Sequence, residues 1–67
     1  MWYYQVFKHN SNGEVWYGIH EYFPSVRSWT KEPVGPVGES IEDLKWQLKA
    51  MLADIDKHGV MEYSDDN

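Results

Sequence analysis

Residues 2–23 read WYYQVFKHNSNGEVWYGIHEYF, which is the pattern of a β-hairpin. Aromatic and β-branched residues dominate both halves of this stretch, and such residues favour strands. Between the halves, Asn12-Gly13 can supply the positive φ angles that a type I′ turn requires. We therefore predict one strand over residues 2–9 and a second over residues 14–23, joined by a two-residue loop.

A two-residue loop also predicts which residues lie opposite one another, because paired positions must then sum to 25. One sheet face is expected to form the core with the apolar side chains Trp2, Val6, Val15, Ile19 and Phe23. The opposite face, here called the aromatic face, carries Tyr3, Phe7, Trp16 and Tyr22 together with His9 and His20. Phe7 lies opposite Gly18, an arrangement in which an aromatic ring can cover a glycine.

The rest of the chain adds two short strands and a loop to the hairpin. Residues 26–31 are predicted to form a third strand after the turn at Pro24-Ser25. Residues 32–39 contain two prolines and two glycines, so they cannot continue a strand and form a connecting loop. Residues 60–63 are predicted to form a short last strand, and residues 64–67 a disordered polar tail.

The segment between this loop and the last strand is predicted to be one amphipathic helix. Ser40 is a suitable N-cap, and Gly59 is placed to end the helix. Six apolar side chains fall within about 100° of one another around the helix axis; they are Ile41, Leu44, Leu48, Met51, Leu52 and Ile55. Trp46 lies on the far side of the helix, beside Ala50 and Ala53. The six-residue stripe is therefore expected to face the sheet.

These elements predict a small α+β protein with the order ββ(β)αβ, forming one domain over residues 1–63. The sheet is expected to be largely antiparallel and covered on one face by the helix. A right-handed connection through the helix predicts the strand order 3-2-1-4. The last strand then lies beside the first and parallel to it.

Charge and composition exclude several classes of function. The net charge is −5, and all of it arises after residue 38, where eight acidic residues outnumber three lysines. Such a negative field repels phosphate, so direct nucleic-acid binding is not expected. There is no cysteine, and no apolar run approaches the roughly 20 residues of a membrane span. With no basic leader after Met1, we expect a cytoplasmic protein that does not bind membranes.

Several segments resemble a family of small bacterial proteins that has no assigned function. They are Tyr17-Gly18-Ile19-His20-Glu21, Ser28-Trp29-Thr30, Pro33-Val34, Pro36 and Gly38-Glu39-Ser40. The resemblance covers about residues 2–60 and implies no activity or cofactor. More distantly, the order of strands and helix is similar to that of HicB-like antitoxins. That similarity implies a fold, and toxin neutralisation only by analogy.

The search for catalytic or metal-binding residues is negative. His20 and Glu21 are adjacent in a strand and point to opposite faces, so Glu21 cannot orient the imidazole. His9 and His20 share a face but lie four residues apart in the predicted register, about 13 Å along the strand, which is too far for one metal ion. We therefore predict no catalytic residue, no cofactor and no metal, and classify the chain as non-enzymatic.

The aromatic content is the remaining signal for function. A contiguous aromatic patch on a small protein usually marks an interaction site. The candidate interaction residues are Tyr3, Phe7, Trp16, His20, Tyr22 and Trp46. The expected partner is another protein, with a weak homodimer through Trp46 as one form. Three alternatives stay open. The proline loop covers the aromatic face or Trp46; the chain is an acidic, antitoxin-like inhibitor that occupies a basic nucleic-acid-binding partner; or it is an enzyme or small-ligand binder that uses His20 and the aromatic face.

Overall fold

A computed structural model describes residues 1–64, which form four strands and one helix. In chain order these are β1 (Tyr3–Ser11), β2 (Glu14–Phe23), β3 (Ser28–Trp29), α1 (Ile41–His58) and β4 (Val60–Glu62). The sheet has the order β3-β2-β1-β4, with β4 parallel to β1. The predicted α+β class and strand order are confirmed. No helix in residues 1–64 has the length and apolar character needed to cross a membrane.

The hairpin has the predicted register. Tyr3 pairs with Tyr22 and Ser11 pairs with Glu14, so paired positions sum to 25 along the whole ladder. Asn12 and Gly13 have φ angles of 53° and 85°, as a type I′ turn requires. These turn residues match the right-handed twist of the strands, so local chemistry alone sets the register. The predicted tail, in contrast, lies mostly outside the described residues, which end at Ser64.

The third strand is shorter than predicted and continues as an irregular segment. Residues 24–27 form a hydrogen-bonded turn in which Arg27 has a φ of 50°, which delays the strand to Ser28. Beyond Trp29 the chain still follows β2, because the Thr30 N–H donates to the Glu21 carbonyl and the Val34 N–H to the Ile19 carbonyl. Residues 31–33 lie between these two bonds, so the segment bulges over the sheet instead of pairing with it.

The helix begins and ends at the predicted residues. The Ser40 hydroxyl accepts a hydrogen bond from the Asp43 N–H, and the Asp43 carboxylate accepts one from the Glu39 N–H, both at 3.1 Å. At the other end, Gly59 has a φ of 67° and its N–H donates to the Ile55 carbonyl. Both caps satisfy backbone groups that the helix itself leaves unpaired.

The prediction of which helix side faces the sheet was only partly correct. Ile41, Leu48 and Leu52, three of the six stripe residues, are exposed, while Leu44, Met51 and Ile55 lie inward. The least exposed positions of α1 also include the polar residues Gln47, Asp54 and His58. At 100° per residue, the centre of the inward side lies roughly 80° from the centre of the apolar stripe.

The reason for this rotation is the free edge of β1. Because β4 begins only opposite Val6, the backbone of the first residues of β1 has no strand partner on that side. Asp54 accepts the Tyr4 N–H at 3.0 Å, and the Gln5 amide donates to the Gly59 carbonyl at 2.9 Å. The His58 ring stacks on Tyr3 with ring centroids 3.6 Å apart. Polar contacts to β1 therefore place α1, at the expense of part of its apolar stripe.

The predicted core face was also only partly correct. Val6 and Tyr4 are buried beneath α1, but Trp2 and Val15 are exposed. The three most deeply buried hairpin residues lie on the aromatic face: Phe7, His20 and Gln5. The core of this protein therefore extends through both faces of the sheet.

Candidate functional site

The aromatic face is covered by the chain's own irregular segments. Phe7 and His20 are both 0% exposed. The Phe7 ring has its centroid 5.1 Å from His20, 5.2 Å from Trp29 and 6.0 Å from Tyr63. Trp29 belongs to β3 and Tyr63 follows β4, so side chains from both edges of the sheet lie over its centre. We call this group of rings the buried aromatic cluster.

Gly18 provides the space that one part of this cover needs. A side chain at this position would place its Cβ 3.1 Å from the Trp16 ring and 3.2 Å from the Pro33 ring. Trp16 and Pro33 therefore lie directly against the backbone of β2. This agrees with the alternative that the proline loop covers the aromatic face, and it leaves Phe7 and His20 out of reach of a partner in this conformation.

His9 and His20 form a direct hydrogen bond inside the cluster. Their Nε2 atoms are 2.9 Å apart, and His20 Nδ1 lies 2.7 Å from the Thr30 carbonyl oxygen. Because a carbonyl only accepts, Nδ1 of His20 carries a hydrogen, and in the neutral pair its Nε2 accepts from His9 Nε2–H. The expected separation of 13 Å was wrong for the side chains, since both imidazoles lean along the strands towards each other.

The geometry of this pair suits a hydrogen bond better than a metal ion. Two histidine nitrogens bound tetrahedrally to zinc at about 2.0–2.1 Å would be about 3.3 Å apart. The observed 2.9 Å is the normal length of an N–H···N bond. Among residues 1–64 no group of three or more histidine or acidic side chains is placed to hold a metal. We assign the pair a structural role, with His9 stacked on Trp16 at 3.8 Å.

On the other face, Gln47 links the helix, the proline loop and the sheet. Its side-chain oxygen accepts the Val37 N–H, and its side chain also hydrogen-bonds the Tyr4 hydroxyl. Burial raises the pKa of that hydroxyl above its ordinary value of 10.0. The nearby carboxylates of Glu21 and Asp54 raise it further, whereas the bond to Gln47 acts in the opposite direction.

The remaining predicted residues differ in how much they are exposed. Tyr3 and Tyr22 are half-buried, with ring centroids 5.5 Å apart. Trp16 is 43% exposed, and its ring stacks on His9. Trp46 is 68% exposed, so the proline loop does not bury it. The six predicted interaction residues are therefore not brought together into one surface.

The sequence did not reveal the largest exposed aliphatic surface of α1. Ile41, Leu48 and Leu52 are 67%, 47% and 61% exposed and lie within about 40° of one another around the helix axis. We call these three residues the helix ridge. One signal in the sequence could have indicated the helix ridge. A long β1 beside a short last strand leaves N–H groups of β1 unpaired at its edge, and these require an acceptor. Asp54 is the acidic residue of α1 that is placed to supply one.

The fold and its surfaces thus define the chain as a small α+β domain with a mixed four-stranded sheet, a buried aromatic cluster and an exposed aliphatic helix ridge. Comparison with protein families, with curated proteins and with solved structures returned no match.

Proposed function

We propose that this protein is a non-enzymatic interaction module that binds another protein through the helix ridge. The observation that carries the proposal is the exposure of three large aliphatic side chains on one side of α1, while Gln47, Asp54 and His58 occupy inward positions. Contiguous exposed apolar residues of this kind mark interaction sites on small proteins. The ridge replaces the aromatic face as the principal contact, because Phe7 and His20 are enclosed.

A photo-crosslinking residue at position 52 tests this proposal in cells. The expected result is a specific crosslinked protein species that disappears when Leu48→Glu is added. The matched control places the crosslinker at Val26, which is 70% exposed but lies alone in the turn before β3. Equal crosslinking from both positions, or none from position 52, would contradict a binding role for the ridge.

A second candidate function follows from charge. The eight acidic residues after residue 38 favour an acidic inhibitor of a basic partner, which is also the analogy that the HicB-like resemblance offers. Binding of that kind weakens steeply with salt, whereas burial of the ridge does not. The same crosslinking repeated at low and high ionic strength separates the two candidates: loss at high salt favours the inhibitor.

A further inference from the structure

We infer that the partner of the helix ridge is a second copy of this chain, in a dimer whose α1 helices pack antiparallel and whose β4 edges meet at Val60. This inference rests on the proposed binding role of the ridge and adds the identity and geometry of the partner. The interface of this dimer does not include Trp46, which lies on the far side of the helix.

The first step is the direction in which the ridge points. The parallel strands β3 and β4 are joined through α1, and such connections are right-handed almost without exception. Viewed from the helix side with β1 pointing up, β4 is then at the right edge and α1 runs downward. In a right-handed helix seen in this orientation, side chains that lie about 100° further around the axis than the inward side point to the right. The ridge therefore projects beyond the β4 edge and not over the sheet.

The second step is the β4 edge itself. No strand lies beyond β4 in the described part of the chain. Because the Tyr63 N–H donates to Lys8 on β1, alternation along the strand directs the backbone groups of Val60 and Glu62 outward. Val60 pairs with Val6, lies on the helix side of the sheet, and is 57% exposed. Unpaired edges of this kind are ready templates for another strand.

The third step is that one two-fold axis serves both surfaces. With Leu48 opposite the Leu52 of the second copy, the axis passes level with Ala50. Asp54 is level with Tyr4 through its hydrogen bond, and four helical residues span about 6 Å, the same as two residues of a strand. Ala50 is therefore level with Val6 on β1, where Val60 of β4 pairs. An axis at this height pairs the helices and brings Val60 of one copy beside Val60 of the other.

The fourth step is charge complementarity. In the same register Lys45 of each copy lies beside Asp56 of the other, on the solvent side of the ridge. Both residues are exposed, and neither makes an ion pair within residues 1–64, where the one ion pair joins Lys8 to Glu62. A parallel arrangement would place like charges side by side. The antiparallel dimer thus buries the ridge and Val60 and forms two symmetric ion pairs.

Sedimentation equilibrium over a wide concentration range tests the dimer. The wild type is expected to dimerise reversibly, Leu52→Glu to stay monomeric and folded, and Trp46→Lys, the matched control on the same helix, to dimerise within twofold of wild type. A wild type that stays monomeric, or a dimer lost with Trp46→Lys and kept with Leu52→Glu, would overturn the inference.

A charge exchange tests the antiparallel register. Lys45→Glu and Asp56→Lys should each weaken dimerisation about fivefold, since each affects two ion pairs, and the double variant should recover most of the loss. A double variant no tighter than either single variant would refute the register. A monomeric chain that still crosslinks a different protein from position 52 would refute the dimer and leave the proposed binding role intact.

Discussion

The two faces of the sheet are covered in opposite ways. The helix-side face has an 18-residue helix above it, yet α1 leaves its ridge in solvent. Within residues 1–64 the aromatic face has no regular element above it, yet Phe7 and His20 at its centre are completely enclosed. The difference shows that burial in this small chain depends on ring packing and on single hydrogen bonds more than on the number of regular elements. We therefore expect the aromatic face to contribute more to the free energy of unfolding than the helix-side face does.

The largest effect is expected at the centre of the aromatic face. Phe7→Ala should lower the free energy of unfolding by about 3–5 kcal/mol, because it removes a fully buried ring that contacts several others. Urea unfolding measures this loss. Since small proteins have total stabilities of about 5–15 kcal/mol, the variant approaches global unfolding. A loss below about 1 kcal/mol would mean that the cluster is not part of the core.

The second prediction compares neighbouring residues of α1. Met51→Ala should cost about 2–5 kcal/mol because Met51 is the one helix residue that is fully buried. Leu52→Ala should cost less than about 1 kcal/mol, contrary to the expectation from the apolar stripe, because Leu52 is exposed. Both are measured by urea unfolding at low protein concentration, where the chain is monomeric. Equal losses of stability for the two variants would support the helix orientation that the apolar stripe predicts.

The third prediction concerns the histidine pair. His20→Phe preserves a ring but leaves the His9 N–H and the Thr30 carbonyl without their present partner, so it should cost about 1–3 kcal/mol. His58→Phe is the matched control, because His58 stacks on Tyr3 at the half-buried end of α1. Thermal unfolding should show a clear decrease for the first variant and a small one for the second. Similar values for both would mean that the buried bond adds no stability.

The smallest effect is expected at alkaline pH on the helix side. The raised pKa of Tyr4 means that the folded protein holds this proton more tightly than the unfolded chain does. The contribution to stability is fully present below about pH 10 and is lost as pH rises through the folded-state pKa. Tyr4→Phe should therefore reduce the slope of stability against pH in that range. An unchanged slope, measured by urea unfolding at several alkaline pH values, would argue against this coupling.

Local chemistry in the chain was sufficient to predict the hairpin, its register and both helix ends. Asn12-Gly13 permits one tight turn, and a two-residue turn leaves one set of pairs. Ser40 and Gly59 satisfy helix termini through groups a few residues away. The crossover rule then sufficed for the strand order, because short connections between parallel strands have one favoured hand.

The location of the candidate interaction surface could not be predicted in this way. The apolar stripe of α1 is real as a pattern, but Asp54 and Gln5 bond to backbone groups about 50 residues away in sequence, and those bonds rotate the helix. The enclosure of Phe7 and His20 likewise depends on Pro33 and Tyr63, which lie in irregular segments without a periodic pattern. Periodicity reports which side chains prefer burial, whereas the unpaired edge of β1 and the reach of these two segments decide which of them are buried.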